Sequence, residues 1–179
     1  SLGIPTAPFA PVSSRAELDR AVATIGLPLV IKTRRFGYDG KGQMVLRTSA
    51  DVDYAWEALG AASLIVEGLV PFERELSILS ARSRTGETCF WPLVENVHRD
   101  GILRVSLPKS DIWTPELQAD AERHANDVLA ALDYVGVLAI ELFYKDGTLV
   151  ANEMAPRVHN SGHWTIEGSE TSQFENHVR

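Results

Sequence analysis

The stretch Val137–Trp164, VLAIELFYKDGTLVANEMAPRVHNSGHW, decides how the rest of the chain is read. An apolar run from Val137 to Tyr144 meets Lys145-Asp146-Gly147, and a second apolar run from Thr148 ends in Asn152-Glu153. Two β-rich runs joined by a short loop with an Asp-Gly step predict a hairpin, because Gly supplies the positive φ such turns need. Glu141 and Glu153 then fall on neighbouring strands. A carboxylate among Val, Leu, Ala and Phe is costly to bury unless it is paired, hydrogen-bonded or bound to a metal. Two of them, with Asn152 beside one, make an oxygen-only cluster of the kind that suits a hard cation such as Mg²⁺. Arg157, His159 and Asn160 follow directly and add a cation and two hydrogen-bonding groups able to hold an anion. The plainer reading, an acidic pair on a solvent-facing edge, is the default for exposed carboxylates. The Arg-x-His-Asn continuation weighs against it.

Working outward, the 179-residue chain fits one domain, or a small lobe with a larger one, with ample length for a core. Apolar residues make up 45% and charged residues 23%, the composition of a globular protein. A net charge of −7 gives no electrostatic footprint for nucleic acid or an anionic membrane, so any phosphate binding is local. The single cysteine, Cys89, cannot close an internal disulfide and fits a cytoplasmic location. No apolar run approaches the ~20 residues of a membrane helix. The chain lacks an initiator Met and stops soon after a helix start, which reads as a segment of a longer protein.

In chain order, Ser1 to Pro11 reads as an extended lead-in. Ser14 and Glu17 suggest a capping box ahead of Leu18, Ala21, Val22 and Ile25 at helical spacing. Leu29–Thr33 is a strand carrying Lys32, and Met44–Arg47 another. Between them lies Gly37-Tyr38-Asp39-Gly40-Lys41-Gly42-Gln43, whose glycines allow either a hairpin turn or an anion-binding nest bracketed by Lys32 and Lys41. A helix is expected over Ala50–Leu59 and a strand over Ser63–Glu67, ending at Gly68. Three strands then follow as an antiparallel meander: one from Glu75 to Arg82 with one core face, one from Thr88 to His98, and one from Ile102 to Leu107. Thr114-Pro115 starts a long helix with Leu117, Ala121, Ala125, Val128 and Leu132 on one stripe. The fold class is α+β: a small α/β lobe over residues 1–67, then a larger lobe over 68–179 built on an antiparallel sheet with a long helix. Glu67, Glu75 and His98 each have an ordinary reading as a strand terminus, a solvated residue and an exposed imidazole.

The ordered set of a Gly-rich hairpin after a strand Lys, a strand-end Glu, a downstream Glu-Leu-Ser and two hairpin carboxylates resembles the ATP-grasp superfamily. GYDGKGQ, FERELS, NVHRDGILR and NEMAPRVHNSGHWT are similar to its bicarbonate-using branch of purine biosynthesis, which carboxylates 5-aminoimidazole ribonucleotide through carboxyphosphate. The resemblance implies an ATP-grasp fold with a small lid lobe. It also implies ATP as the nucleotide, covered by Lys32 and Gly37 to Gln43. Glu67, Gly68, Leu69 and Val70 would lie on adenine, Glu75 on the ribose and His98 at the nucleotide's border. Glu141 and Glu153, helped by Asn152, would hold Mg²⁺. Arg157, His159 and Asn160 would hold bicarbonate, and Tyr38, Asp39 and Lys41 would face the ribonucleotide. Family members have a domain on each side of this segment and form homodimers. The alternatives are a formate-dependent glycinamide ribonucleotide transformylase, a biotin carboxylase type, or a non-catalytic ATP-binding fragment.

Overall fold

The computed structural model describes residues 2–35, 42–60, 63–99 and 101–179. The chain divides into two compact units, one of Ala7–Pro71 with Asp100–Ile102 and one of Ser1–Thr6, Phe72–Arg99 and Leu103–Arg179.

The first unit is a four-stranded sheet, in the order β1-β4-β2-β3, with two helices. Its elements are β1 (Phe9–Val12), α1 (Arg15–Ile25), β2 (Leu29–Thr33), β3 (Gln43–Leu46), α2 (Ser49–Leu59) and β4 (Leu64–Gly68). The expected lead-in segment thus contains a strand: Phe9–Val12 pairs with β4, a long-range partnership that local pattern does not announce. Ser14 caps α1 by accepting from the Glu17 N–H. The Glu17 carboxylate reaches the Ser13 N–H at 2.6 Å, so the reciprocal arm lands one residue before the expected one. On α2 the full capping box is Thr48 with Asp51. Val12, Leu18, Leu29, Ile31, Leu46, Val66 and their neighbours form this unit's core.

The second unit holds a six-stranded sheet of β5 (Arg74–Arg82), β6 (Thr88–Phe90), β7 (Val94–Arg99), β8 (Ile102–Pro108), β9 (Gly136–Lys145) and β10 (Thr148–Ala155). Its main path runs β10-β9-β5-β7-β8, with β6 also on β5. The expected single strand Thr88–His98 is therefore two, parted at Trp91-Pro92-Leu93, where a proline has no N–H to give a ladder. Helix α3 (Pro115–Ala131) is capped by Thr114 with Pro at its start, as expected. Its buried residues are Ala121, His124, Ala125 and Leu129, whereas Leu132 is exposed: the stripe is turned from the expected one. It covers one face of the sheet in a core with Leu76, Ile78, Leu138, Ile140 and Leu142. The expected open face of β5 is also buried, because Leu79 and Ala81 pack with Trp91, Val94, Val137, Ala139 and Trp164. A 3-10 turn (Asn160–Gly162), α4 (Thr165–Gly168) and α5 (Gln173–Val178) close the chain. Among the described residues, no helix is long and apolar enough to cross a membrane.

Candidate functional site

The hairpin of β9 and β10 turns on Asp146 and Gly147, both at positive φ (48° and 78°), the two-residue loop that the Asp-Gly step predicts. That loop pairs Thr148 with Lys145 and Ala151 with Leu142. Continued without interruption, the register would set Asn152 opposite Glu141 and turn Glu153 with Ile140 toward the α3 core. A β-bulge intervenes between Ala151 and Glu153, and Glu153 instead stands directly opposite Glu141. Directly paired residues have Cβ atoms about 4.5–5.5 Å apart, and like charges so placed repel. A feature that brings two carboxylates face to face therefore calls for positive charge between or beside them.

A hydrogen-bonding ring stands beside Glu141. His159 is nearly buried, and its Nε2 lies 3.1 Å from Glu141 Oε1. Its Nδ1 accepts from the Ser161 N–H and sits 2.9 Å from the Ser161 hydroxyl, so the ring caps the turn that begins at Asn160. Arg157 and Asn160, the expected neighbours of His159, are both exposed, and the Arg157 guanidinium donates to the Val158 carbonyl at 2.8 Å. These two share the loop with His159 and are not drawn into its ion pair.

The same sheet face carries more polar groups. Ser77 pairs with Glu141 across β5 and β9, and Glu75 with Asn96 across β5 and β7. Ser77 and Asn96 are buried and linked, the Asn96 amide donating to Ser77 Oγ at 3.0 Å and Ser106 Oγ donating to Asn96 Oδ1 at 3.2 Å. His98, two residues beyond Asn96, forms an ion pair with Glu75, Nδ1 to Oε2 2.5 Å. The Glu75 carboxylate raises the imidazole's pKa above its ordinary value; burial opposes this, while the charges of Glu75, Glu141 and Glu153 add to it. Glu75 and His98 are thus a pair, where the sequence offered a solvated carboxylate and an exposed ring as plain alternatives.

In the first unit, two expected nucleotide residues meet each other: Lys32 Nζ is 2.8 Å from Glu67 Oε2, with both side chains largely shielded. Gln43 pairs with Lys32 across β2 and β3. Gly42 has φ +78, and a Cβ there would lie 2.9 Å from Thr33 Oγ1, so this position needs glycine. The N–H of Gly68 is bonded to the Pro8 carbonyl and that of Leu69 to the Pro28 carbonyl. Leu69 and Val70 are partly exposed. Gly37, Tyr38, Asp39, Gly40 and Lys41 lie outside the described residues.

The buried Ser77-Asn96-Ser106 chain and the contacts of Ser161, Thr165 and Gln173 were absent from the sequence reading. Ser77 carried a signal, a hydroxyl two residues from Glu75 within an apolar strand. Gln173, at the end of a polar stretch of sequence, carried none. Among the described residues no three His, Cys, Asp or Glu side chains converge as a metal-binding group. The acidic pair offers two carboxylates, the number with which Mg²⁺ is usually held when substrate phosphates complete its shell.

The profile of the ATP-grasp domain matches residues 1–174. The chain belongs to the ATP-grasp family. Among relatives of this ATP-grasp chain, the N5-carboxyaminoimidazole ribonucleotide synthase of Pseudomonas aeruginosa is 61% identical over 178 residues, which are 99% of this chain and 49% of that protein. The solved N5-carboxyaminoimidazole ribonucleotide synthetase of Thermus thermophilus is 54% identical with a TM-score of 0.91, covering 99% of this chain and 48% of the other. The N5-carboxyaminoimidazole synthase of Aspergillus clavatus, solved with ADP and 5-aminoimidazole ribonucleotide, is 31% identical with a TM-score of 0.88, covering 99% and 47%. This ATP-grasp chain spans about half the length of the curated relatives it matches.

Proposed function

We propose that this chain is the ATP-grasp segment of a carbon–nitrogen ligase that carboxylates 5-aminoimidazole ribonucleotide with bicarbonate, giving N5-carboxyaminoimidazole ribonucleotide, ADP and phosphate. The observation that carries the reading is the bulge that sets Glu153 opposite Glu141, with His159 on Glu141, in a chain 61% identical to a synthase of that reaction. Glu141 and Glu153, with Asn152 beside them, hold Mg²⁺, an assignment that fits an oxygen-only donor set. When bound, the ion neutralises and orients the phosphate oxygens. Lys32, aimed by Glu67, adds a point charge for phosphate, and Glu67 to Val70 present strand-end groups to adenine. Glu75, tied to His98, takes the ribose hydroxyls.

Arg157, His159 and Asn160 hold bicarbonate while one of its oxygens attacks the γ-phosphorus and the bond to ADP breaks, a step governed by positioning and charge stabilisation. The carboxyphosphate carbon, directly or as CO₂, then joins the exocyclic amine, and phosphate and a proton leave. The cytoplasmic location and the homodimer belong to the same proposal for the full-length protein.

The test is ADP release by the full-length chain with bicarbonate, with and without 5-aminoimidazole ribonucleotide. Substrate-stimulated ADP and a product heavier by one CO₂ are expected. No stimulation overturns the proposal, and a formylated glycinamide product instead assigns the chain to the formate-using branch.

A further inference from the structure

We propose that Gln173 is a positioning residue for His159, fixing its backbone so that the ring presents an Nε2–H to Glu141. The inference rests on the role given above to His159, and Gln173 takes no part in the bonds made or broken.

Gln173 is fully buried. A buried primary amide must place its donors and its acceptor, or the cost of desolvation goes uncompensated. Gln173 does so on both backbone groups of one residue: Oε1 accepts from the His159 N–H at 2.9 Å and Nε2 donates to the His159 carbonyl at 2.8 Å. The side chain thereby stands where a neighbouring strand would stand. It is itself held, because its backbone N–H donates to Thr165 Oγ1 at 2.9 Å, and that hydroxyl donates to the Gly162 carbonyl at 2.6 Å. Gly162 leaves the room for this: a Cβ there would lie 2.4 Å from Gln173 Oε1 and 2.2 Å from Leu79 Cδ2.

With the backbone fixed, each ring nitrogen has a set partner, Ser161 at Nδ1 and Glu141 at Nε2. Nδ1 accepts from the Ser161 N–H, so the neutral ring carries its proton on Nε2, where Glu141 Oε1 waits at 3.1 Å. The other neutral tautomer would set two acceptors against each other at Glu141 and turn an Nδ1–H toward the Ser161 N–H, with only the Ser161 hydroxyl left to accept it. A partner that orients a histidine from behind is commonly worth 10–100-fold in function at a metal site. Here the partner lies 14 residues further along the chain and acts on the backbone instead of on the ring.

The test compares wild type, Gln173→Glu and Gln173→Met in the full-length chain. Glu keeps the acceptor and loses the donor, and Met loses both. Long-range ¹H–¹⁵N spectra of the imidazoles, with His159 assigned by its absence in His159→Asn, report the tautomer without any turnover. Wild type is expected to show Nε2–H alone, with mixed tautomers in the variants. Bicarbonate-dependent kcat should fall about 10-fold or more in the order Glu, then Met, while the KM for ATP stays within about twofold. An Nδ1–H ring in wild type overturns the inference, as does a Gln173→Met chain with wild-type spectrum and kcat. If Met does not fold cooperatively, Gln173→Glu decides by the same two readouts. A wild type without bicarbonate-dependent ADP release sinks the proposed function, and the spectra still decide the inference.

Discussion

The two faces of the six-stranded sheet are made by the same strands and are built differently. On one, Leu76, Ile78, Leu138, Ile140 and Leu142 meet Ala121, Ala125 and Leu129 of α3 and bury apolar surface. On the other, Glu75, Ser77, Asn96, Glu141 and Glu153 occupy paired positions of four adjacent strands, with His98 on Glu75. The alternation of two residues per repeat lets one set of strands bury an apolar face on one side and, on the other, set a polar group beside a second apolar cluster of Leu79, Ala81, Val94, Val137 and Ala139. Two histidines sample the two environments. His124, buried on α3, has its pKa lowered, first by burial and then by Arg123. His98, beside Glu75, has its pKa raised.

The sharpest way to break this division is Glu153→Gln. In the full-length chain it is expected to cut ATP turnover at least ~100-fold, beyond the loss usual for outer-shell partners. Removing one of two opposed like charges should leave folding stability unchanged or slightly higher. ADP release and a denaturant melt read both quantities, and a Gln variant that turns over normally but unfolds easily would reverse the assignment of the faces. Leu129→Ala is the converse: a loss of about 2–5 kcal/mol in the melt, with the KM for ATP unmoved.

The histidines offer a comparison by pH. For His98 the folded pKa lies above the unfolded one, so its contribution to stability is fully present below about pH 6.5 and is lost as pH rises through the raised value. For His124 the unfolded chain takes a proton that the native core refuses, so stability falls as pH drops below about 6.5. NMR titration of the two rings should give midpoints on opposite sides of the ordinary histidine value, and Glu75→Gln should bring that of His98 down. Coincident midpoints would remove the electrostatic distinction between the faces. The smallest effect concerns the apolar side alone: Thr114→Ala, which deletes the α3 cap, should cost about 1 kcal/mol and leave turnover intact.

Much of this was legible in the residues. The Asp-Gly turn, the Thr-Pro helix start and the strand Leu29–Thr33 follow from local rules and stand where those rules put them. Glu141 and Glu153 were legible as a pair on neighbouring strands. Their direct opposition was not, since the register from the turn puts Asn152 across from Glu141 and a bulge changes it. Bulges depend on what each face must bury, which local pattern does not contain. The strand Phe9–Val12 was hidden for a like reason: its partner, β4, is remote in sequence. So was Gln173, a lone amide whose meaning comes from a backbone it meets in space.

Glu141 and Glu153 sharing one divalent ion is the central claim, and paramagnetic resonance of Mn²⁺ bound to the full-length chain with ADP tests it most directly. One tightly held Mn²⁺ in wild type and its loss in the Glu141→Gln, Glu153→Gln double variant is the predicted result. A double variant that holds Mn²⁺ as tightly as wild type would contradict it.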